Sequence, residues 1–340
     1  MHARKPPDFT PAYDAFEAQY ADPGKPMVSA FIGIQNGSAD AEPQIGALKS
    51  LFAQPDGPDV VEQGIQILSA GATSQVYMCY WRNPAQFASW AASRPVGDWL
   101  IGSAENSNDV GRWIEHAHVL PDHLDTLIAD PTTYWGLAKL AGTIQLTQQH
   151  GYWGGTRDRI RISEKDSLDN ATGPTLPEPA IPPKGYGEIV DVVMPANAVV
   201  ARGGPDWSKC RENERAIFDA SVHPAFVAGC EYLMDDPADA GCYAAYIIRE
   251  SDSDGRAVER NHLIAYFVQL SDLERWTRSH PTHIAIYANF MKMVQEIGRM
   301  PDLNLYHEVS VIPAGGLRAT YVNCAPETGL LRFGLPRSAS

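Results

Sequence analysis

Two histidines occupy positions where the pattern calls for apolar residues, and imidazole is a side chain able to do chemistry there. His307 lies in LNLYHEVSVI (303–312), where period-two alternation puts Leu303, Leu305, His307, Val309 and Val311 on one face of a strand. Asn304, Tyr306, Glu308 and Ser310 fall on the other. His283 heads HIAIYANFMKMVQEIGR and shares a helical stripe with Ile286, Tyr287, Phe290, Val294 and Ile297. An imidazole changes charge near neutral pH, so it suits general acid–base work, and its neutral form binds metals. For either histidine alone, a hydrogen-bonded core residue is the plain reading. Two in neighbouring elements point instead to a ligand cavity between them. His280 and His283 also read as an i,i+3 zinc pair, but Pro281 intervenes and no third ligand is near. A neutral imidazole at the end of an apolar pocket can equally hold a haem iron by one axial bond. The second histidine is then free to move protons.

The elements that position these residues come from a repeat. YWRNPAQFASWAASRP (80–95) lies over YFVQLSDLERWTRSHP (266–281) at an offset of 186, matching Tyr80 with Tyr266, Trp90 with Trp276 and Pro95 with Pro281. Each copy reads as a strand running into a short helix closed by proline. In the first half, MVSAFIGI, DVVEQGIQIL, SQVYMCYW and RWIEHAHVLP read as strands, with AEPQIGALKSLF a helix. The second half offers strands in GEIVDVVM, NAVVAR, GCYAAYIIRE and NHLIAYFV, a helical region over 208–235, and the His307 strand. Both halves approximate β-α-β-β-α-β, so the expected fold is α+β: two ferredoxin-like units forming a dimeric α+β barrel-type core with outer helices. The expected divisions are an N-terminal unit at 1–150, a connector at 151–186 holding GYWGGTRDR and a proline-rich stretch, and a C-terminal unit at 187–340. The second copy carries histidines that the first lacks. Gly97 stands at the offset of His283, and aligning VLP with VIP puts Glu115 opposite His307. Thr282 is the expected N-cap of the His283 helix.

Bulk properties exclude several classes. A formal net charge of −14 argues against nucleic acid or an anionic membrane surface as partner. No stretch approaches the roughly 20 apolar residues of a membrane span. The start, MHARKPPDFTPAYDAF, lacks the apolar core of a secretory signal, so a cytoplasmic location is expected. Five scattered cysteines without CxxC spacing argue against a disulfide framework, a thiolate zinc site and covalently attached haem. The segment ahead of HGYWGG reads IQLTQQ, with Gln145, Gln148 and Gln149 and no carboxylate.

HGYWGGTRDR (150–159), RGGPDW (202–207), GCY (241–243), ERWTRSHPTHIAIY (274–287), LYHEVSV (305–311) and YVNCAPETGLLR (321–332) together resemble the haem-containing aldoxime dehydratases. The similarity runs in order from about residue 25 to 332. It implies conversion of an aldoxime to a nitrile and water on a b-type haem in the ferrous state, with the oxime nitrogen on the iron. It makes His283 the axial haem ligand, His307 the catalytic histidine and Arg159 an active-site residue. It also implies an aldoxime as substrate and a homodimer as the assembly. Where the family carries a serine that bonds the oxime hydroxyl, this chain has Gly203, which offers no hydroxyl and leaves the room of a side chain. The alternatives are haem chemistry on another N–O or N–N substrate, a peroxidase-like activity, or a haem-binding sensor without catalysis.

Overall fold

The computed structural model describes residues 5–36, 40–68, 73–102, 110–170 and 183–337. Most of the proline-rich stretch therefore lies outside the described residues. The strands are β1 (Ala15–Gln19), β2 (Met27–Asn36), β3 (Val60–Ile67), β4 (Thr73–Trp81), β5 (Gly111–Val119), β6 (Leu124–Ile128) and β7 (Thr143–Thr147). They continue with β8 (Ile189–Val193), β9 (Ala198–Asp206), β10 (Cys242–Ser251), β11 (Ala257–Phe267), β12 (Asn304–Ile312), β13 (Leu317–Val322) and β14 (Leu335–Pro336). The helices are α1 (Glu42–Phe52), α2 (Pro84–Ala92), α3 (Arg94–Ile101), α4 (Gly155–Arg159), α5 (Glu212–Ile217), α6 (His223–Asp235), α7 (Pro237–Ala240), α8 (Leu270–Ser279) and α9 (Pro281–Ile297). A π-helical turn, Phe218–Val222, joins α5 to α6.

All the strands form one sheet in the order β14-β8-β13-β5-β2-β4-β3-β10-β11-β9-β12-β6-β1-β7, and neighbours run antiparallel. Residues 27–119 supply β5-β2-β4-β3, and residues 198–312 supply the same order reversed, β10-β11-β9-β12. The halves meet where β3 pairs with β10. Beyond β5 the sheet is extended by β13, β8 and β14, and beyond β12 by β6, β1 and β7. Each half's outer edge is thus completed by strands from the other part of the chain.

The inner face of the curled sheet is a shared core: Phe31, Tyr80 and Trp113 pack with Tyr246, Ile264 and Tyr266. On the outer face, α1, α2 and α3 cover the first half through Leu48, Trp90 and Trp99. Helices α6 and α8 cover the second through Phe226, Leu233 and Trp276. The repeated tryptophan anchors each helix. Trp90 packs on Trp81 at 5.4 Å between ring centroids, and Trp276 lies 6.1 Å from Phe267. Truncating either to alanine costs roughly 3–5 kcal/mol.

The register corrects the sequence alignment by one residue. Tyr80 pairs with Ser29, which pairs with Ala117, whereas Tyr266 pairs with Val200, which pairs with Ser310. Glu115 therefore corresponds to Glu308, and Ile114 to His307. Because side chains alternate, the slip moves the comparison to the wrong face. Glu115 and Glu308 both point inward. Glu115 accepts phenol hydroxyls from Tyr246 at 2.8 Å and from Tyr266 and Tyr321. Glu308 accepts from Tyr306 at 2.7 Å and from the Leu137 amide at 2.8 Å. The face of β12 that carries Tyr306 and Glu308 is consequently core, and the face that carries His307 looks out toward the helices.

Candidate functional site: two histidines and a buried ion pair

His307 sits on β12 between β9 and β6, directly opposite Gly203 on one side and Leu127 on the other. On the same face, one step along the diagonal, β6 places Asp125, since Asp125 pairs with Val309. Arg159, the last residue of α4, reaches both. Its Nε donates to Asp125 Oδ1 at 2.6 Å and its Nη2 to Oδ2 at 3.0 Å, a two-pronged ion pair. Nη1 donates to the Gln149 carbonyl, which fixes the guanidinium plane. The Asp125 side chain is fully buried and that of Arg159 is 3% exposed. Burial pushes the Asp125 carboxyl up, but Arg159 and His307 outweigh it and hold it below the usual carboxylate range.

His307 Nε2 lies 3.2 Å from Asp125 Oδ2 and 3.3 Å from Arg159 Nη2. One nitrogen thus faces an acceptor and a permanent donor. Protonated, it donates to the carboxylate; neutral, it accepts from the guanidinium. Both protonation states have a partner, which is what a group acting first as acid and then as base requires. Asp125 escaped the sequence reading. Its signal was a lone carboxylate in the otherwise unremarkable strand HLDTLI, meaningful only once β6 is known to pair with a strand 182 residues away.

His283 occupies the first turn of α9. The helix is capped by His280 rather than Thr282: the His280 side chain accepts from the Thr282 amide, and Pro281 takes the first helical position, where its missing N–H leaves nothing unsatisfied. His280 Nδ1 also lies 2.9 Å from Thr282 Oγ1, and its ring stacks on Tyr232 at 3.7 Å. That histidine is used structurally, and no group of three metal-ligating side chains occurs among the described residues. His283 differs. Its buried Nδ1 makes no hydrogen bond of good geometry, although the Thr277 carbonyl lies near enough to favour the protonated ring. Burial lowers its pKa to about 4, and a charge on His307 acts in the same direction. The ring is therefore neutral and ready to donate a lone pair. Trp276 and Trp153 meet it edge-on at 4.8 and 6.2 Å.

His283 and His307 lie near enough for their charges to interact. Helix α9 packs chiefly on α6, α8 and the π-helical turn, not on the strands. Beside His283, Trp153, Tyr287 and Ile284 are 45%, 43% and 42% exposed, an amount of open aromatic and aliphatic surface that suits a porphyrin. A neutral imidazole whose buried Nδ1 faces the Thr277 carbonyl, set among aromatic rings, suits the role of a haem-iron ligand through its other nitrogen. The His307 side chain is 36% exposed.

Gly203 does not leave a vacancy. A Cβ at that position would stand 2.8 Å from His307 Cβ and 3.2 Å from the Tyr306 carbonyl oxygen. Strands β9 and β12 approach closely here, so glycine lets the backbone come up against the histidine. His150 is a further buried group near Arg159. It is 1% exposed, neither ring nitrogen has a hydrogen-bond partner, and burial followed by the Arg159 charge lowers its pKa.

Known proteins resemble this chain along nearly its whole length. A sequence profile of the family described as haem-containing dehydratase matches residues 30–330. The chain is 32% identical over 330 residues to a phenylacetaldoxime dehydratase of Bacillus sp. (strain OxB-1), covering 96% of this chain and 93% of the relative. It is 30% identical over 337 residues to an aliphatic aldoxime dehydratase of Pseudomonas chlororaphis, covering 98% and 94%. A crystal structure of an aldoxime dehydratase in complex with butyraldoxime superposes with a TM-score of 0.88 at 27% identity, over 98% of this chain and 92% of that one.

Proposed function

The chain belongs to the haem-containing dehydratase family, and on that premise we propose how its own residues turn an aldoxime, R–CH=N–OH, into a nitrile and water. It is an aldoxime dehydratase, a lyase. The cofactor would be haem b in its ferrous form, held through His283; when bound, it would supply an iron that activates the oxime nitrogen.

Expelling hydroxide from nitrogen is the hard step, and His307 removes the difficulty. The protonated ring, held at Nε2 by Asp125, gives a proton to the oxime oxygen as the N–O bond breaks, and water leaves with that bond's electron pair. The neutral imidazole then takes the proton from carbon, and the C–H pair becomes the third C–N bond. No electrons enter or leave, and the imidazolium is restored. Such assistance is worth roughly a hundred- to ten-thousand-fold. The observation that carries this reading is the single nitrogen poised between Asp125 and Arg159. Asp125 holds the imidazolium, and Arg159 both neutralises Asp125 and supports the neutral ring. With Gly203 offering no hydroxyl, orientation of the oxime oxygen falls to His307 and Arg159.

The reversed strand orders support two ferredoxin-like units closing a barrel-type core, joined through a connector at 151–186. We also propose a homodimer in the cytoplasm. Free thiols at all five cysteines agree with a reducing compartment, and no helix among the described residues is long and apolar enough to cross a membrane.

The test is the absorption spectrum of the reduced protein under anaerobic conditions, titrated with an aliphatic and an aryl aldoxime. A Soret band that shifts on addition and returns as nitrile accumulates is the expected result, and His283→Ala should abolish the band's wild-type position. A band unresponsive to both aldoximes would overturn the reading.

A further inference from the structure

The segment ahead of β1 packs along the loop that carries Arg159. Phe9 meets Tyr152 edge-on at 5.5 Å, and Tyr13 lays its ring on His150 at 5.1 Å. Gln149, the neighbour of His150, gives its carbonyl to Arg159. The Tyr13 phenol is partly buried and lies near enough to Arg159 and Tyr287 for their charges to act on it. Tyr287 in turn packs on Trp153 at 6.1 Å, and Trp153 on His283 at 6.2 Å. Tyr13 therefore bridges the two groups of the site, with Asp125, Arg159 and His307 on one side and the aromatic surround of His283 on the other.

Free donors are scarce on the Arg159 side. Its Nε and Nη2 are engaged by Asp125, Nη2 also faces His307, and Nη1 is held by the Gln149 carbonyl. Gly203 supplies no hydroxyl, and a side chain there would press on His307. The Tyr13 hydroxyl, by contrast, forms no hydrogen bond among the described residues. Burial raises its pKa above the ordinary phenol value, so it keeps its proton at neutral pH. We propose that Tyr13 is a further substrate-binding residue, its hydroxyl donating a hydrogen bond to the oxime oxygen and so supplying the group that Gly203 lacks. This rests on the aldoxime reading of the site and deepens it. His307 remains the acid; Tyr13 holds the oxygen that receives the proton, and that oxygen has a lone pair for each. The contact with His150 is what keeps the phenol beside Arg159.

The test uses the full chain, haem-loaded and reduced under anaerobic conditions, and compares two iron ligands with the same carbon chain. One is butyraldoxime, read from the rapid Soret shift before nitrile accumulates; the other is n-butylamine, which lacks the oxygen. Tyr13→Phe keeps the ring on His150 and removes only the hydroxyl. It should weaken butyraldoxime by about fivefold or more, the worth of one neutral hydrogen bond, and leave n-butylamine within about twofold. Phe9→Leu, which loosens the same segment without touching the hydroxyl, should leave the ratio of the two affinities at its wild-type value. Unchanged butyraldoxime affinity in Tyr13→Phe overturns the proposal, as does an equal loss for both ligands or an equal shift of the ratio in Phe9→Leu. Haem lost from Tyr13→Phe, with the aldoxime affinity of the remaining holoprotein intact, would assign the hydroxyl to a haem carboxylate and overturn it too. A wild-type Soret band that answers n-butylamine but not butyraldoxime would instead overturn the functional reading itself.

Discussion

Replacing Asp125 by asparagine keeps the shape of the site and removes one charge. At an effective dielectric of about 20, a carboxylate 3.2 Å from an imidazolium stabilises it by about 5 kcal/mol, and a guanidinium at 3.3 Å opposes it by nearly the same amount. The wild-type site is close to balanced. In the variant only the repulsion remains. Solvent reaches the partly open His307 ring and screens much of it, leaving about 2–3 kcal/mol, roughly a hundredfold loss of the acid form. The expected result at pH 7 is a kcat for nitrile formation about a hundredfold lower, measured anaerobically on the reduced protein, with the Soret band unchanged. Removing the now unopposed arginine as well, in Asp125→Asn with Arg159→Gln, should recover about tenfold, because the two residues are coupled. A single variant within threefold of wild type, or a double variant no better than the single, would refute the charge-balance argument.

Three further outcomes are expected. Installing the family's hydroxyl by Gly203→Ser should lower kcat rather than raise it, because the new Cβ presses on His307; Gly203→Ala should fall equally, and a serine variant faster than wild type would overturn the steric account. His116 lies on β5 with its pKa lowered to about 4 by burial, then by His118 and Arg318. Its neutral folded form binds fewer protons than the unfolded chain between about pH 6.5 and 4, so it costs stability as pH falls through that window. His116→Val, which reproduces the Val309 found at the matching place in the second half, should spare up to about 3 kcal/mol of acid-induced loss, read by urea unfolding at pH 7 and pH 4.5. Arg159→Lys should cost more than a conservative change suggests. A lysine cannot make both bonds to Asp125 at once, so kcat should drop about tenfold or more while haem content stays constant.

What could be read from the sequence was local. The strand bearing Tyr80 and the helix bearing Trp90 recur with Tyr266 and Trp276 because each is set by short-range periodicity, and the structure has those elements in place. His283 on a helix and His307 on a strand were legible for the same reason. Asp125 was not, because its meaning comes from β6 lying beside β12. Neither was the exchange of edge strands β8, β13 and β14 for β1, β6 and β7, since no local signal chooses between two open edges. The match of Glu115 with His307 failed by one residue, the smallest slip and in a strand the most consequential. The Gly203 vacancy expected from the family's serine is closed by the near approach of two backbones, which only the register reveals.

The most direct test of the central claim, that His307 moves the proton while His283 holds the haem, is single-turnover spectroscopy of His307→Asn with butyraldoxime under anaerobic reducing conditions. The account predicts a Soret band like that of wild type, a shift on adding aldoxime, and at least about a hundredfold slower nitrile formation. Nitrile appearing at the wild-type rate, or a Soret band lost along with His307, would contradict it.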